Sequence, residues 1–97
     1  MTMSTGYVPE MAKEKLAGLR FPDGDVLPLF EQRAERKRLL QRAMDFGNYA
    51  QYKVAIVFED DCGLKRVETT IWDLDDDFVY LKNRIRIPLG RIREVRI

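Results

Sequence analysis

The sequence predicts an α+β fold in one domain: N-terminal helices over residues 1–50, then a five-stranded antiparallel small β-barrel over residues 51–97. Three observations predict it. Apolar residues recur at helical spacing up to Phe46, and from Tyr52 the period changes from 3.6 to 2. Four turn signals then divide about 45 residues into short runs, which favours local antiparallel pairs. The alternation is clearest from Phe78 onward, where Val79, Leu81, Ile85, Ile87 and Leu89 share one parity while Tyr80, Lys82, Arg84 and Arg86 share the other.

In chain order, Met1 to Gly6 shows no apolar period and reads as a loose tail. Pro9 suits a first helical turn, and Val8, Met11, Ala12, Leu16 and Leu19 predict a helix from Pro9 to Ala17 with Gly18 as its stop. Phe21-Pro22-Asp23-Gly24 has the chemistry of a turn. A second helix follows from Pro28 through Glu31 to Met44, ended by Gly47 and Asn48. Its apolar residues lie at the two ends, so its charged centre, Arg33 to Arg38, reads as a solvated basic surface; a helix face turned to nucleic acid is the sharper reading.

The five strands are Tyr52–Glu59, Leu64–Trp72, Phe78–Lys82, Ile85–Leu89 and Ile92–Ile97. Parity sets a register. Ile56 faces Val67, Tyr52 faces Ile71, Trp72 faces Phe78 and Ile71 faces Val79. Across a Lys82-Asn83-Arg84 turn, Leu81 faces Ile85 and Tyr80 faces Arg86, with Asn83 supplying the left-handed residue. Lys65 points inward in this register and belongs at the rim, where its stem can carry the ammonium out to water.

Composition narrows function. The 97 residues contain no histidine and one cysteine, so Ser-His, Cys-His and His-based metal chemistry are absent and no intrachain disulfide forms. Cys62 sits in the polar turn Asp60-Asp61-Cys62-Gly63, without a neighbour suited to activating a thiolate. No run approaches the roughly 20 apolar residues of a membrane span, and the N-terminus lacks the plan of a signal peptide. A soluble cytoplasmic protein is expected. Net charge is +1, which argues against a strong nonspecific polyanion binder, yet residues 59–77 hold eight acidic and two basic groups while residues 78–97 hold six basic and one acidic. The charge is bipolar along the chain.

A bent meander of five short strands after a helix resembles the layout of SH3-like and Sm-like small barrels, over Tyr52 to Ile97 and in layout only. The Sm-type RNA signatures are missing: no Asp and Met-Asn pair follows the second and third strands, and no Arg-Gly precedes the fourth. Val67-Glu68-Thr69-Thr70-Ile71-Trp72, Leu81-Lys82, Ile87-Pro88 and Arg91-Ile92 with Val95 resemble a group of small uncharacterised proteins of Bacteroidetes-type bacteria, over residues 30–97. That resemblance implies no activity.

Two clusters are candidates for chemistry. Asp73, Asp75 and Asp77 match the first three side-chain positions of an EF-hand loop, but Phe78 replaces the turn glycine and Arg84 the bidentate glutamate. A solvated hairpin loop is the stronger reading, and no metal, cofactor or catalytic residue is assigned. The outward parity gives rows of Thr70, Tyr80 and Arg86 and of Trp72, Phe78 and Pro88, flanked by Lys82 and Arg84. Trp72 and Phe78 are expected to pack under the helices, because large exposed aromatics are uncommon. Tyr80, Lys82, Arg84 and Arg86, with Arg91, Arg93 and Arg96 of the last strand, are the candidate binding residues for single-stranded nucleic acid or a protein partner. The alternative is a self-associating structural or regulatory protein that docks a partner, including a second copy, through that last edge strand. Either reading is non-catalytic.

Overall fold

Residues 8–50 and 53–97 are described by the computed structural model; the expectations for residues 1–6 and for Tyr52 lie outside them. The expected first helix is a 3-10 turn, Lys13–Gly18, that buries Leu16. One long helix follows, α1, Phe30–Ala50. Its start is built by side chains. The Asp25 carboxylate accepts from Leu27 N–H at 2.8 Å, and Gln32 at the third helical position accepts from Leu29 N–H at 3.2 Å, the reciprocal half of a capping box.

The helix does not stop at Gly47. An ideal Cβ there would lie 2.9 Å from both Ile71 O and Thr70 Cγ2. Gly47 therefore marks the place where the helix backbone meets a strand, and its small size serves that approach, not a helix terminus. The centre of α1 is exposed at Arg33, Lys37 and Arg38, as expected, but Arg36 departs from that surface. Arg36 is 5% exposed; its guanidinium donates to both Asp25 oxygens, at 2.7 and 2.9 Å, and to Ile92 O at 3.0 Å. Arg33 donates to Leu27 O, Lys37 pairs with Asp76 and Arg38 with Glu35.

Six strands follow, where five were expected: β1, Val54–Asp60; β2, Gly63–Thr69; β3, Ile71–Leu74; β4, Phe78–Leu81; β5, Arg86–Pro88; and β6, Ile92–Arg96. They form two separate three-stranded sheets, ordered β2-β1-β6 and β3-β4-β5, so the expected closed SH3-like or Sm-like barrel is not the fold. The reason lies at Thr70. β1 begins at Val54, opposite Thr69, so the long second strand runs out of partner there and its continuation pairs with β4 in the other sheet.

Much of the register holds within each sheet. Ile56 faces Val67, Tyr80 faces Arg86, Phe78 faces Pro88, and Leu81 N–H donates to Ile85 O at 2.7 Å. The β3–β4 register does not. Ile71 faces Leu81 and Asp73 faces Tyr80, with an irregularity between them that leaves Trp72 unpaired. The left-handed residue of the Lys82–Arg84 turn is Arg84, at φ 63°, not Asn83.

The buried cluster joins Ile56, Phe58 and Val67 of the first sheet to Ile71, Val79 and Ile87 of the second, with Leu40 and Ala43 from α1. Each of the larger side chains among them contributes about 1.5–3 kcal/mol when removed from water. Both edges of the first sheet are covered in part. Residues 9–11 run beside β2 through Met11 N–H to Arg66 O and Arg66 N–H to Pro9 O, and Arg36 occupies the Ile92 carbonyl of β6. Lys65 reaches back to Asp60 at 2.7 Å. Burial by itself would raise the Asp60 pKa, but the Lys65 ammonium and backbone N–H groups hold it below its ordinary value.

Two outcomes follow from this packing. Gly47→Ala gains helix propensity of about 1 kcal/mol yet must displace Ile71 or Thr70 at a typical overpacking cost of 1–3 kcal/mol; the urea midpoint should fall, whereas Gly18→Ala, with open space around it, should leave it unchanged. Asp25 is held below its ordinary pKa, chiefly by the hydrogen bond from Arg36. Its contribution is fully present above the unfolded value and is lost as pH falls through the folded one, so thermal stability should drop below about pH 4. Asp25→Asn should flatten that part of the profile and cost about 3 kcal/mol at neutral pH by leaving Arg36 buried and unpaired.

Candidate functional site

The outer face of the β3-β4-β5 sheet gathers the unusual features of the chain. A strand normally alternates its side chains, but the β3 irregularity places one extra residue between Ile71, which faces Leu81, and Asp73, which faces Tyr80. Two successive residues, Trp72 and Asp73, are exposed as a result, while Ile71 is fully buried. Trp72 is 56% exposed and does not pack under the helix, which corrects its expected placement in the core.

Trp72 and Asp73 line a concavity of about 570 Å³ together with Tyr80, Leu81, Lys82 and Arg84. Tyr80 is fixed from one side: its hydroxyl donates to Asp75 Oδ2. That bond, followed by those from Phe78 and Asp77 N–H, holds the Asp75 carboxyl below its ordinary range, and the same bond raises the Tyr80 hydroxyl pKa. Next along the face, the Phe78 ring lies 6.2 Å from that of Tyr80, and the Arg86 guanidinium sits 4.3 Å above Phe78. A cation-aromatic row therefore leads into the concavity.

Lys82 and Arg84 have no ion pair among the described residues. Arg84 is also the described non-glycine residue with a positive φ. A side chain in that conformation costs roughly 1 kcal/mol relative to the right-handed one. Strain of this kind tends to be kept where a side chain must be aimed.

The structure thus brings Tyr80, Lys82, Arg84 and Arg86 together. It does not bring Arg91, Arg93 and Arg96 to the same place. Arg93 and Arg96 belong to the other sheet and Arg91 to the 3-10 turn that leads into it, and each has a partner within the chain. Arg91 donates to Glu59 O and Gly24 O, both at 3.1 Å, Arg93 lies 3.7 Å from Glu59, and Arg96 pairs with Glu94 at 2.8 Å. Sequence reasoning missed Trp72 and Asp73 as site residues. One signal for them is in the chain: the Trp is set between Thr70 and a four-carboxylate turn, polar company for a core residue.

The remaining clusters are occupied by structural tasks. In the Asp73–Asp77 loop, Asp75 Oδ1 accepts from Asp77 and Phe78 N–H, both at 2.7 Å, which shapes the hairpin turn. Ligating atoms of Asp60, Asp61 and Cys62 lie within 4.8 Å of one another, but Asp60 already holds Lys65 and Cys62 N–H. Asp61 raises the Cys62 pKa and so favours the neutral thiol. No helix among the described residues is long and apolar enough to cross a membrane. Comparison with family models, curated proteins and solved structures gave no match, so the site is read from its own geometry.

Because Arg84 carries its side chain at a backbone angle that glycine adopts without penalty, Arg84→Gly should leave thermal stability intact or raise it by up to about 1 kcal/mol. A melting curve checks this, and a marked loss of stability would show that the Arg84 side chain holds the turn.

Proposed function

We propose that the protein is a non-catalytic module that binds single-stranded nucleic acid on the outer face of the β3-β4-β5 sheet. The observation that carries the reading is the half-exposed Trp72, set by the strand irregularity in one concavity with Tyr80, Lys82 and Arg84. An indole or phenol face stacks on any base, and such stacking is typically worth 1–3 kcal/mol per base. Lys82 and Arg84, without carboxylate partners among the described residues, are left to neutralise phosphates on either side of a stacked base. Arg86 on Phe78 extends the surface by one further step.

Pairing through the β6 edge draws less support. The arginines that would drive it are engaged within the chain, and Arg36 occupies the Ile92 carbonyl. A purely electrostatic grip is also disfavoured, because Asp73, Asp75, Asp76 and Asp77 adjoin the cations and net charge is +1. Stacking must therefore supply a large share of the affinity, and the bound strand must be unpaired for its bases to reach the indole.

Trp72 is the single tryptophan of the chain, so its emission reports the site directly. Short thymidine oligomers of about eight nucleotides should quench it at low salt, with affinity falling as salt rises at a log–log slope near −2 for about three phosphate contacts. Lys82→Ala and Arg84→Ala should each weaken binding and make that slope shallower, whereas Arg96→Ala should do neither. Absence of both quenching and filter retention at low salt would remove the proposal.

A further inference from the structure

The nucleic-acid reading leaves one lining residue without a role, and its chemistry is the wrong sign for a phosphate. Asp73 faces Tyr80 across the sheet, lines the concavity beside Trp72 and contributes to the electrostatic field at the Tyr80 hydroxyl. One of its oxygens, Oδ1, accepts from Leu74 N–H at 2.8 Å; the carboxylate makes no ion pair among the described residues. Its exposed second oxygen and the remaining lone pairs of the first are open to a ligand. The cations of the site, Lys82 and Arg84, come from the turn after β4, whereas Asp73 comes from β3. A strand with its phosphates along Lys82 and Arg84 and a base stacked on Trp72 would have Asp73 as the acceptor lining the same concavity.

Resting on the single-strand reading above, we infer that Asp73 makes the concavity selective for guanine. A carboxylate offers two acceptors and no donor. Guanine alone among the common bases presents two adjacent donors on its pairing edge, N1–H and N2–H. Adenine and cytosine each set one amino donor beside a ring nitrogen acceptor, which a carboxylate repels. Thymine and uracil hold a single N3–H between two carbonyl oxygens. The Trp72 stack accepts every base, the two cations accept every backbone, and Asp73 accepts one base edge.

The test uses the full chain and Trp72 quenching, with thymidine oligomers of about eight nucleotides that carry one central dG, dA or dC. The dG oligomer should bind roughly tenfold more tightly than the dA and dC oligomers, within the range expected of a bidentate base contact. Asp73→Asn, which removes the charge and exchanges one acceptor for a donor, should bring the three within about twofold of one another, while the all-thymidine oligomer binds at least as tightly as before. A circular dichroism spectrum identical to that of the natural chain confirms that the variant folds. Equal affinities in the natural chain, with quenching intact, overturn the selectivity and leave the single-strand reading standing. A dG preference that survives Asp73→Asn overturns the role of Asp73. Failure of every oligomer to quench Trp72 overturns the single-strand reading itself.

Discussion

A guanidinium taken out of water must find placed oxygens, and Arg36 finds three: both oxygens of Asp25 and the carbonyl of Ile92. Those oxygens belong to the turn before the helix and to the outer strand of the first sheet. A single side chain from α1 therefore fixes the helix to two separate parts of the chain. The desolvation cost of such a group is large, so the arrangement persists only while all of its partners are in place. Three turns further along the same face of the helix, Gly47 lets the backbone of α1 come against Ile71 and Thr70. The helix thus touches the first sheet through Arg36 and the second through Gly47.

The second contact bears on function. Ile71 is fully buried, and its carbonyl is the atom that an added side chain at position 47 would strike. With Ile71 pinned from the helix side, the extra residue in β3 is accommodated on the solvent side, which leaves Trp72 and Asp73 exposed in succession. A strand without that support would regain alternation by turning one of the two inward. The exposed indole therefore stands next to a buried Ile71 whose backbone the helix closely approaches. Arg84 adds a local cost at the other end of the same concavity through its left-handed backbone. Both departures from ordinary sheet structure fall on residues that line one space.

How much of this was legible depended on whether the governing rule was local. Alternation is a property of neighbours, so the pairings of Ile56 with Val67 and of Tyr80 with Arg86 could be read directly, as could the inward parity of Val79, Leu81 and Ile87. The break at Thr70 could not, because Leu64 to Trp72 reads as one unbroken strand; what divides it is the length of β1, which decides where pairing stops. The extra residue at Trp72 was hidden for a related reason, since a bulge shows only in the partner's register. Gly47 was misread because glycine marks both helix ends and close approaches, and only the approach of Ile71 distinguishes them. Arg36 was indistinguishable from the exposed cations around it until Asp25 was placed opposite. Of the candidate site, Tyr80, Lys82, Arg84 and Arg86 were legible through parity, whereas the arginines of β6 shared the pattern but not the location.

The bipolar charge of the chain acquires a meaning from this geometry. Had the six cations of residues 78–97 stood together on one face, the expected partner would be any polyanion, bound in proportion to charge and released by salt. The fold instead separates Lys82, Arg84 and Arg86 from Arg91, Arg93 and Arg96, and it engages the last three with backbone carbonyls, Glu59 and Glu94. It also sets the acidic turn of residues 73–77 beside the cations that remain. Carboxylates in that position lower affinity for every phosphate equally, so they have no value to a general polyanion binder. They have value where the ligand must show something other than charge, a flat ring for Trp72 and hydrogen-bond donors for an acceptor at the rim. Weak attraction combined with specific shape is what the proposed single-strand reading asks of the site.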